Sequence, residues 1–405
     1  MHGANVVKRI IAWTLFDFAN SSYSAVIAAV VFPVYFATVI VGNSEGMGDL
    51  WWGRAISLSM FIVAVTSPFL GGIADASGRR KSFFLFYTAV AIVSVMLFTT
   101  LRPGLVIYGF LLIVIANTGV EGGFVFYNSY LPLIADREKI GRISAAGFAV
   151  GYVGSIVALL LAIFFIQNEM IEMVWIEVGS LFTLFSVPVF LLMPRDEART
   201  SIFSAAGGGL QQTFRTIKSL FRKRDSLFFL TAYFLYTDGV NTVIVFASIF
   251  AVTTLHFSST EAILLFLVVQ ISALIGSFAI SFPIDRVGPL KIVRMSLVVW
   301  IMTTIYAFFV SSKMEFYFIA VTAGLVLGTI QAASRALYTY FIPKEKEAEY
   351  FGVYSTVGKT SSILGPLMFG LISNAFHSQR PAVMSVSILF VLGLVALSRV
   401  KIKIS

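Results

Sequence analysis

The chain has 405 residues, of which 58% are apolar and only 12% charged, with a net charge of +9. Soluble domains carry about 25% charged residues, so this composition cannot supply the polar skin of a water-solvated globule; soluble enzymes, disordered chains and collagen-like chains are excluded. Cysteine is absent and the three histidines, His2, His256 and His377, lie far apart in expected tails or loops, which removes disulfides, thiolate chemistry and a structural metal centre. No cofactor is expected.

A helix crossing about 30 Å of hydrocarbon needs about 20 mostly apolar residues. Twelve such spans are predicted, at residues 11–41, 54–74, 82–101, 103–130, 143–166, 173–193, 226–254, 261–283, 291–311, 314–341, 351–375 and 381–399. The first is too long for a signal h-region and lacks a small-residue cleavage site after a short apolar core. Runs of this length exclude a membrane β-barrel, whose strands take about 10 residues. Gly147-x-x-x-Gly151 in span five and Gly324-x-x-x-Gly328 in span ten predict close helix crossings. Pro68 and Gly365-Pro366 predict bends in spans two and eleven. Trp51, Trp52 and Trp175 stand at span ends, where interfacial anchors occur, and the 40 phenylalanines are expected to face lipid.

Orientation follows from lysine and arginine. With the N-terminus inside, 23 of the 29 cations fall in inner segments, and Arg54, Arg102, Lys313 and Arg380 are the four outside. This asymmetry predicts both termini in the cytoplasm and the chain in the cytoplasmic (inner) membrane. It also accounts for the net charge, so no nucleic-acid partner is needed.

The longest polar stretch, 195–225, lies between spans six and seven. After Gly207-Gly208-Gly209, the residues Leu210, Phe214, Ile217 and Phe221 recur at helical spacing among Arg215, Lys218, Arg222, Lys223 and Arg224. The pattern predicts an amphipathic helix resting on anionic lipid. It divides the chain into an N-terminal six-helix bundle (1–194), a cytoplasmic linker (195–225) and a C-terminal six-helix bundle (226–405).

The two halves resemble each other. Asp17-x-x-Asn20 in span one matches Asp238-x-x-Asn241 in span seven, Asp75-x-x-Gly78-x-x-Lys81 matches Asp285-x-x-Gly288-x-x-Lys291, and Gly151 matches Gly358. Three matches in order indicate a duplicated unit. Parallel repeats of this kind belong to secondary transporters that rock about a midplane site. One decoy is set aside. Gly352 to Thr360 mimics a phosphate loop, but five residues separate the glycines instead of four and no strand precedes them.

Gly71-Gly72-Ile73-Ala74-Asp75-Ala76-Ser77-Gly78-Arg79-Arg80-Lys81, between spans two and three, resembles the signature loop of the major facilitator superfamily. A finer resemblance is to its vacuole-effluxer branch, the autophagy-related vacuolar amino-acid effluxers and their bacterial relatives. It is carried by Trp13-Thr14-Leu15-Phe16-Asp17-Phe18-Ala19-Asn20-Ser21, Glu121-Gly122-Gly123-Phe124-Val125-Phe126-Tyr127-Asn128 and Gly147-Phe148-Ala149-Val150-Gly151-Tyr152. In the second half it is carried by Gln331-Ala332-Ala333-Ser334-Arg335 and Gly358-Lys359-Thr360-Ser361-Ser362-Ile363-Leu364-Gly365-Pro366. The resemblance implies an all-α membrane protein of two pseudo-symmetric six-helix bundles, the major facilitator fold, in which helices one, four, seven and ten line a central cavity and eleven lies beside it. It implies a transporter, not an enzyme, that exports small molecules by alternating access, with amino acids as the first expectation. It also implies that Gly71, Asp75, Gly78, Arg79 and Arg80, with Asp285 in the second copy, form a cytoplasmic gate.

Five ionisable residues lie deep in spans: Asp17, Glu121, Asp238, Arg335 and Lys359. An intramembrane charge costs at least about 2.5–3.5 kcal/mol, so each needs a partner or a water-filled cavity. They sit on spans one, four, seven, ten and eleven, the cavity helices of the resemblance. At about 1.5 Å per residue, Asp17, Arg335 and Lys359 lie about 12 Å in from one membrane face. Three acids and two bases leave one acid in excess, and an acid without a fixed partner can bind and release a proton at physiological pH. Asp17, Glu121 and Asp238 are therefore candidates for proton coupling, with Glu121 or Asp17 as the carrier. Arg335 and Lys359 are candidates for an anionic substrate group. Asn20, Asn117, Asn241 and Gln331 stand one helical turn from a charge; they join the candidate substrate-binding set, as does Asn128, the last residue of the Glu121 motif that carries the resemblance. Permanent interhelical salt bridges and gate-forming pairs would produce the same pattern. A small molecule, H+ and membrane lipids are the expected partners, and a monomer is expected. An alternative of the same fold is a lipid or lysolipid flippase, with a headgroup at Arg335 and Lys359.

Overall fold

The computed structural model describes residues 2–43, 45–134, 140–194, 196–197, 224–280, 283–341 and 347–400. The predicted amphipathic helix of the 195–225 linker lies outside the described residues.

Regular structure among the described residues is helical throughout. The first helix, α1, starts at His2–Tyr23 and continues through π-helical Ser24–Val30, α-helical Val31–Tyr35 and π-helical Phe36–Val41. Pro33 sits between the two wide stretches. Its missing N–H breaks the regular ladder, and widening is one way a helix absorbs that. Then follow α2 (Met47–Ser77), α3 (Arg80–Leu97), α4 (Val106–Ile134), α5 (Ile140–Gln167) and α6 (Ile171–Leu192). The second half holds α7 (Arg224–Leu255), α8 (Ser259–Ile280), α9 (Pro289–Phe309) and α10 (Lys313–Thr339). It continues with α11 (Glu347–Thr360), α12 (Leu364–Phe376) and α13 (Gln379–Ser398). Among the described residues, 11 helices are long and apolar enough to cross a membrane. The remaining predicted span, the eleventh at 351–375, is realised as two pieces, α11 and α12, broken at Ser361-Ser362-Ile363 just before Gly365-Pro366.

The chain packs as two compact units. One takes the described residues of Met1–Tyr35 and Leu58–Thr216, the other those of Phe36–Ser57 and Ile217–Ser405. In the first unit α1 packs on α5 and α6, and α3 packs on α4. The α1–α5 crossing is close because a Cβ at Gly147, Gly151 or Gly154 would run into Asp17, Ser21 or Phe18, as small-residue crossings require. In the second unit α8 packs on α10, and α13 on α7, α9 and α12. Gly324 and Gly328 lie against the backbone of Val269 and Ala273, and Gly276 against that of Leu325. Each helix turns apolar side chains both inward and outward: Phe84 and Trp300 are buried while Phe86, Phe278 and Phe309 are exposed. Helices apolar on all sides are solvated by lipid on the outer face.

The aromatic residues do more than face lipid. Phe16, Phe84, Tyr127 and Phe182 form one inner cluster of the first unit. Trp52 and Trp175 are fully buried and are not interfacial anchors. Trp52 Nε1 donates to Val245 O at 3.2 Å, and Trp175 packs edge-on against Phe32 and Phe98. Helix α2 begins seven residues before the predicted span, which carries Trp52 from an expected loop into the packed helix.

Candidate functional site

In the first unit the site is built around Asp17, which is 7% exposed. The Tyr127 hydroxyl on α4 donates to Asp17 Oδ2 at 2.7 Å and lies 3.1 Å from Trp13 O. Trp13 Nε1 returns a bond to Tyr127 O at 3.2 Å, and the two rings stack at 4.6 Å. Trp13 and Asp17 are one helical turn apart, so a single tyrosine engages both. Gly147 on α5 closes the other side: a Cβ there would collide with Asp17 Oδ2 and the Trp13 ring. Glu121, also on α4, is partly buried and is an electrostatic neighbour of the buried Tyr23 hydroxyl on α1. Asn20 is buried, and its Oδ1 has no hydrogen-bond partner among the described residues. Asn117 is tied to α2 through Nδ2 to Ser59 Oγ at 2.7 Å. Asn128 is partly buried on α4. Asp17, Tyr127 and Gly147 thus come together from three helices, while Asn117 serves a separate α4–α2 contact.

In the second unit Asp238 is fully buried. Its Oδ2 accepts the backbone N–H groups of Leu364 and Gly365 at 3.1 and 3.0 Å. Asn241 Nδ2 reaches Ser361 Oγ at 3.5 Å. Arg335 and Gln331 are exposed on α10, one turn apart, and Lys359 is partly buried in the last turn of α11. Arg335 is an electrostatic neighbour of Tyr233 and Tyr354, whose rings stack at 4.2 Å. The repeated acids therefore differ in partner: Asp17 meets a side-chain hydroxyl, Asp238 meets main-chain amides.

The repeated loop motif places a left-handed glycine before a helix in both copies. Gly78 and Gly288 have φ of +69° and +87°; Gly288 is itself the N-cap of α9, whereas Arg79 stands between Gly78 and the start of α3. Only glycine takes these values without strain. Gly71 lies in α2 with open space around it. Arg79 is exposed, and Arg80 Nη1 lies 3.4 Å from Ser129 O. The side chains of Asp75 and Asp285 lie outside the described residues.

Two acids that sequence reasoning passed over hold buried or capping positions. Asp196 Oδ1 accepts from Lys81 N at 2.7 Å, and Oδ2 accepts from Ser82 N and Oγ at 2.9 and 2.6 Å. It caps α3 from the far end of α6, beside the gate motif. Asp49, fully buried, accepts from Asn43 Nδ2 at 3.1 Å, from Gln379 Nε2 at 2.8 Å and from Ser373 Oγ. No sequence signal marks Asp196. An acid five residues before the predicted start of span two, between Gly48 and a tryptophan pair, was the available signal for Asp49. No cluster of metal-ligating side chains occurs among the described residues.

Comparison with known proteins matches this architecture. The profile of a family described as "Vacuole effluxer Atg22 like" matches residues 54–405. The uncharacterized MFS-type transporter YxiO of Bacillus subtilis is 28% identical over 400 residues, covering 96% of this chain and 93% of its own length. Autophagy-related protein 22 of Vanderwaltozyma polyspora is 25% identical over 378 residues, 80% of this chain and 72% of its own length. Among solved structures, the nucleoside transporter NupG superposes with a TM-score of 0.72 at 15% identity, covering 98% of this chain and all of that one, a likeness of fold. A multi-pass helical protein of the major facilitator fold, carrying the paired loop motif in both halves, this chain belongs to the Atg22-like vacuole effluxer family of transporters.

Proposed function

We propose that the protein is a proton-coupled exporter of small molecules bearing a carboxylate, amino acids first, working by alternating access. The observation that carries this reading is the buried carboxylate of Asp17, held by the Tyr127 hydroxyl inside the first unit. Burying an ionisable acid in a membrane helix is costly and marks function by default. Asp17 and Glu121, on α1 and α4, are the proposed proton carriers. Arg335 and Lys359 receive the anionic group, with Gln331 beside Arg335 on the same exposed face of α10. Asn20, Asn128 and Asn241 supply further polar contacts. The family supports export, and the lysine and arginine distribution supports the cytoplasmic membrane with both termini inside. Asp75, Gly78, Arg79 and Arg80 latch the cytoplasmic mouth, and the working unit is a monomer.

Reconstitution in proteoliposomes tests this. A pH gradient is imposed, and counterflow of labelled amino acids is followed in the parent, Glu121→Gln, Asp17→Asn and Arg335→Ala. Gradient-driven transport is expected to vanish in at least one acid variant while exchange without a gradient persists, and Arg335→Ala is expected to raise the half-saturating substrate concentration. Undiminished gradient-driven transport in both acid variants would refute the proton role. Counterflow of lysolipids with none of amino acids would replace the substrate class.

A further inference from the structure

The break between α11 and α12 falls inside a membrane span, where no water satisfies freed backbone groups and each must find a partner in the protein. Groups on both sides of the break have such partners. On the amide side, Leu364 and Gly365 donate to Asp238 Oδ2, and Pro366 has no N–H to lose. On the carbonyl side, Gly358 O accepts from Ser361 Oγ at 2.7 Å and Ile363 O accepts from Ser57 Oγ at 2.7 Å. The break is therefore capped by protein groups from both sides.

Charge favours the break as well. The end of α11 carries a partial negative charge and the start of α12 a partial positive one, through unpaired peptide groups. Lys359 lies in the last turn of α11, and the Asp238 carboxyl stands at the first turn of α12. Both charges have the sign that favours an interrupted helix over a continuous one. Gly365 lets the α12 start approach α7: a Cβ there would collide with Thr242 Oγ1 and stand 3.0 Å from Asp238 Oδ1. Thr242 is itself anchored, its Oγ1 donating to Asp238 O at 2.7 Å.

We propose that Asp238 is the positioning residue of a hinge built into span eleven: its carboxyl caps α12 from α7 and so sets the direction that α11, with Lys359, takes relative to α12. Asp238 then acts on transport through where Lys359 stands and not as a proton carrier. The hinge is a property of the protein whatever the solute, so it survives a change of substrate class.

The parent sequence contains no cysteine, so spin labels can be placed by single substitutions without a prior cysteine-free background. One pair, Thr356→Cys with Leu371→Cys, reports across the break from two exposed positions; a second, Met295→Cys with Tyr306→Cys, reports within the unbroken α9. In the parent a single narrow distance peak is expected for both. Asp238→Ala is expected to lose the narrow peak across the break and keep the one in α9; Asp238→Asn, whose amide oxygen still accepts, is expected to retain most of it. Gly365→Ala, which pushes α12 away while leaving the acid in place, is expected to reproduce the Asp238→Ala result and decides the matter if that variant does not fold. Unchanged cross-break distances in both Asp238→Ala and Gly365→Ala would overturn the proposal, as would equal broadening of the α9 pair.

Discussion

Gly147→Ala is expected to destabilise the first unit although alanine is the better helix former. The added Cβ meets Asp17 Oδ2 inside contact distance, stands 2.9 Å from Trp13 Cζ3 and 3.3 Å from Asp17 Cγ. Neither neighbour can retreat freely: Trp13 is stacked on Tyr127, and Asp17 is held by the Tyr127 hydroxyl. Overpacking of this kind costs about 1–3 kcal/mol, against a helix-propensity gain of about 0.5–1 kcal/mol. Taken at the midpoints the net loss is about 1.3 kcal/mol, which at about 2–4 °C per kcal/mol lowers the melting temperature by roughly 3–5 °C. Gly71→Ala is the matched control, since nothing lies within 4 Å of its added Cβ; it is expected to melt slightly higher than the parent. Thermal unfolding of purified protein in one detergent, followed by tryptophan fluorescence, measures both. In an Asp17→Ala background the Gly147→Ala loss should shrink, because the first collision is gone while the Trp13 contact remains. Equal melting temperatures for parent and Gly147→Ala, or the same loss in both backgrounds, would refute the wedge described here.

Tyr127→Phe keeps the ring stack and removes the hydroxyl from Asp17, for an expected loss of about 1–3 kcal/mol in the same unfolding assay. Asp196→Ala uncaps α3 and is expected to cost about 0.5–2 kcal/mol, with Asp196→Ser recovering most of it. Gly78→Ala places a side chain at a φ of +69°, for an expected cost of about 1–2 kcal/mol; Gly78→Asn is expected to melt between Gly78→Ala and the parent.

What the sequence discloses is what depends on local pattern. The spans are legible because hydrocarbon thickness fixes their length. Gly78 and Gly288 are legible because the Asp-x-x-Gly-x-x-Lys motif recurs in both halves, and the Gly147-x-x-x-Gly151 crossing because spacing alone sets one helix face. The fate of individual charges is not, because it depends on partners far along the chain. Asp49 reads as a loop acid until Ser373 and Gln379 stand beside it. Asp196 reads as the start of a linker until the amides of Lys81 and Ser82 point at it. Asp17 and Asp238 look like one feature repeated, yet their partners are of different kinds. Gly365-Pro366 announces a bend in span eleven; the full break needs Asp238 on another helix to make it tolerable.

The divergence between Asp17 and Asp238 leaves a mark on how the chain can vary over evolutionary time. The partner of Asp17 is a side chain, so positions 17 and 127 can change together, and relatives should show them covarying. The partners of Asp238 are main-chain amides: the one at 364 is present whatever residue stands there short of proline, and the one at 365 is reached only because that residue is glycine. Position 238 has no partner side chain to trade against and is expected to stay fixed together with the glycine at 365. Two halves that arose as copies would thus carry their acids under different rules of inheritance, one as a negotiable pair and one as a fixed letter.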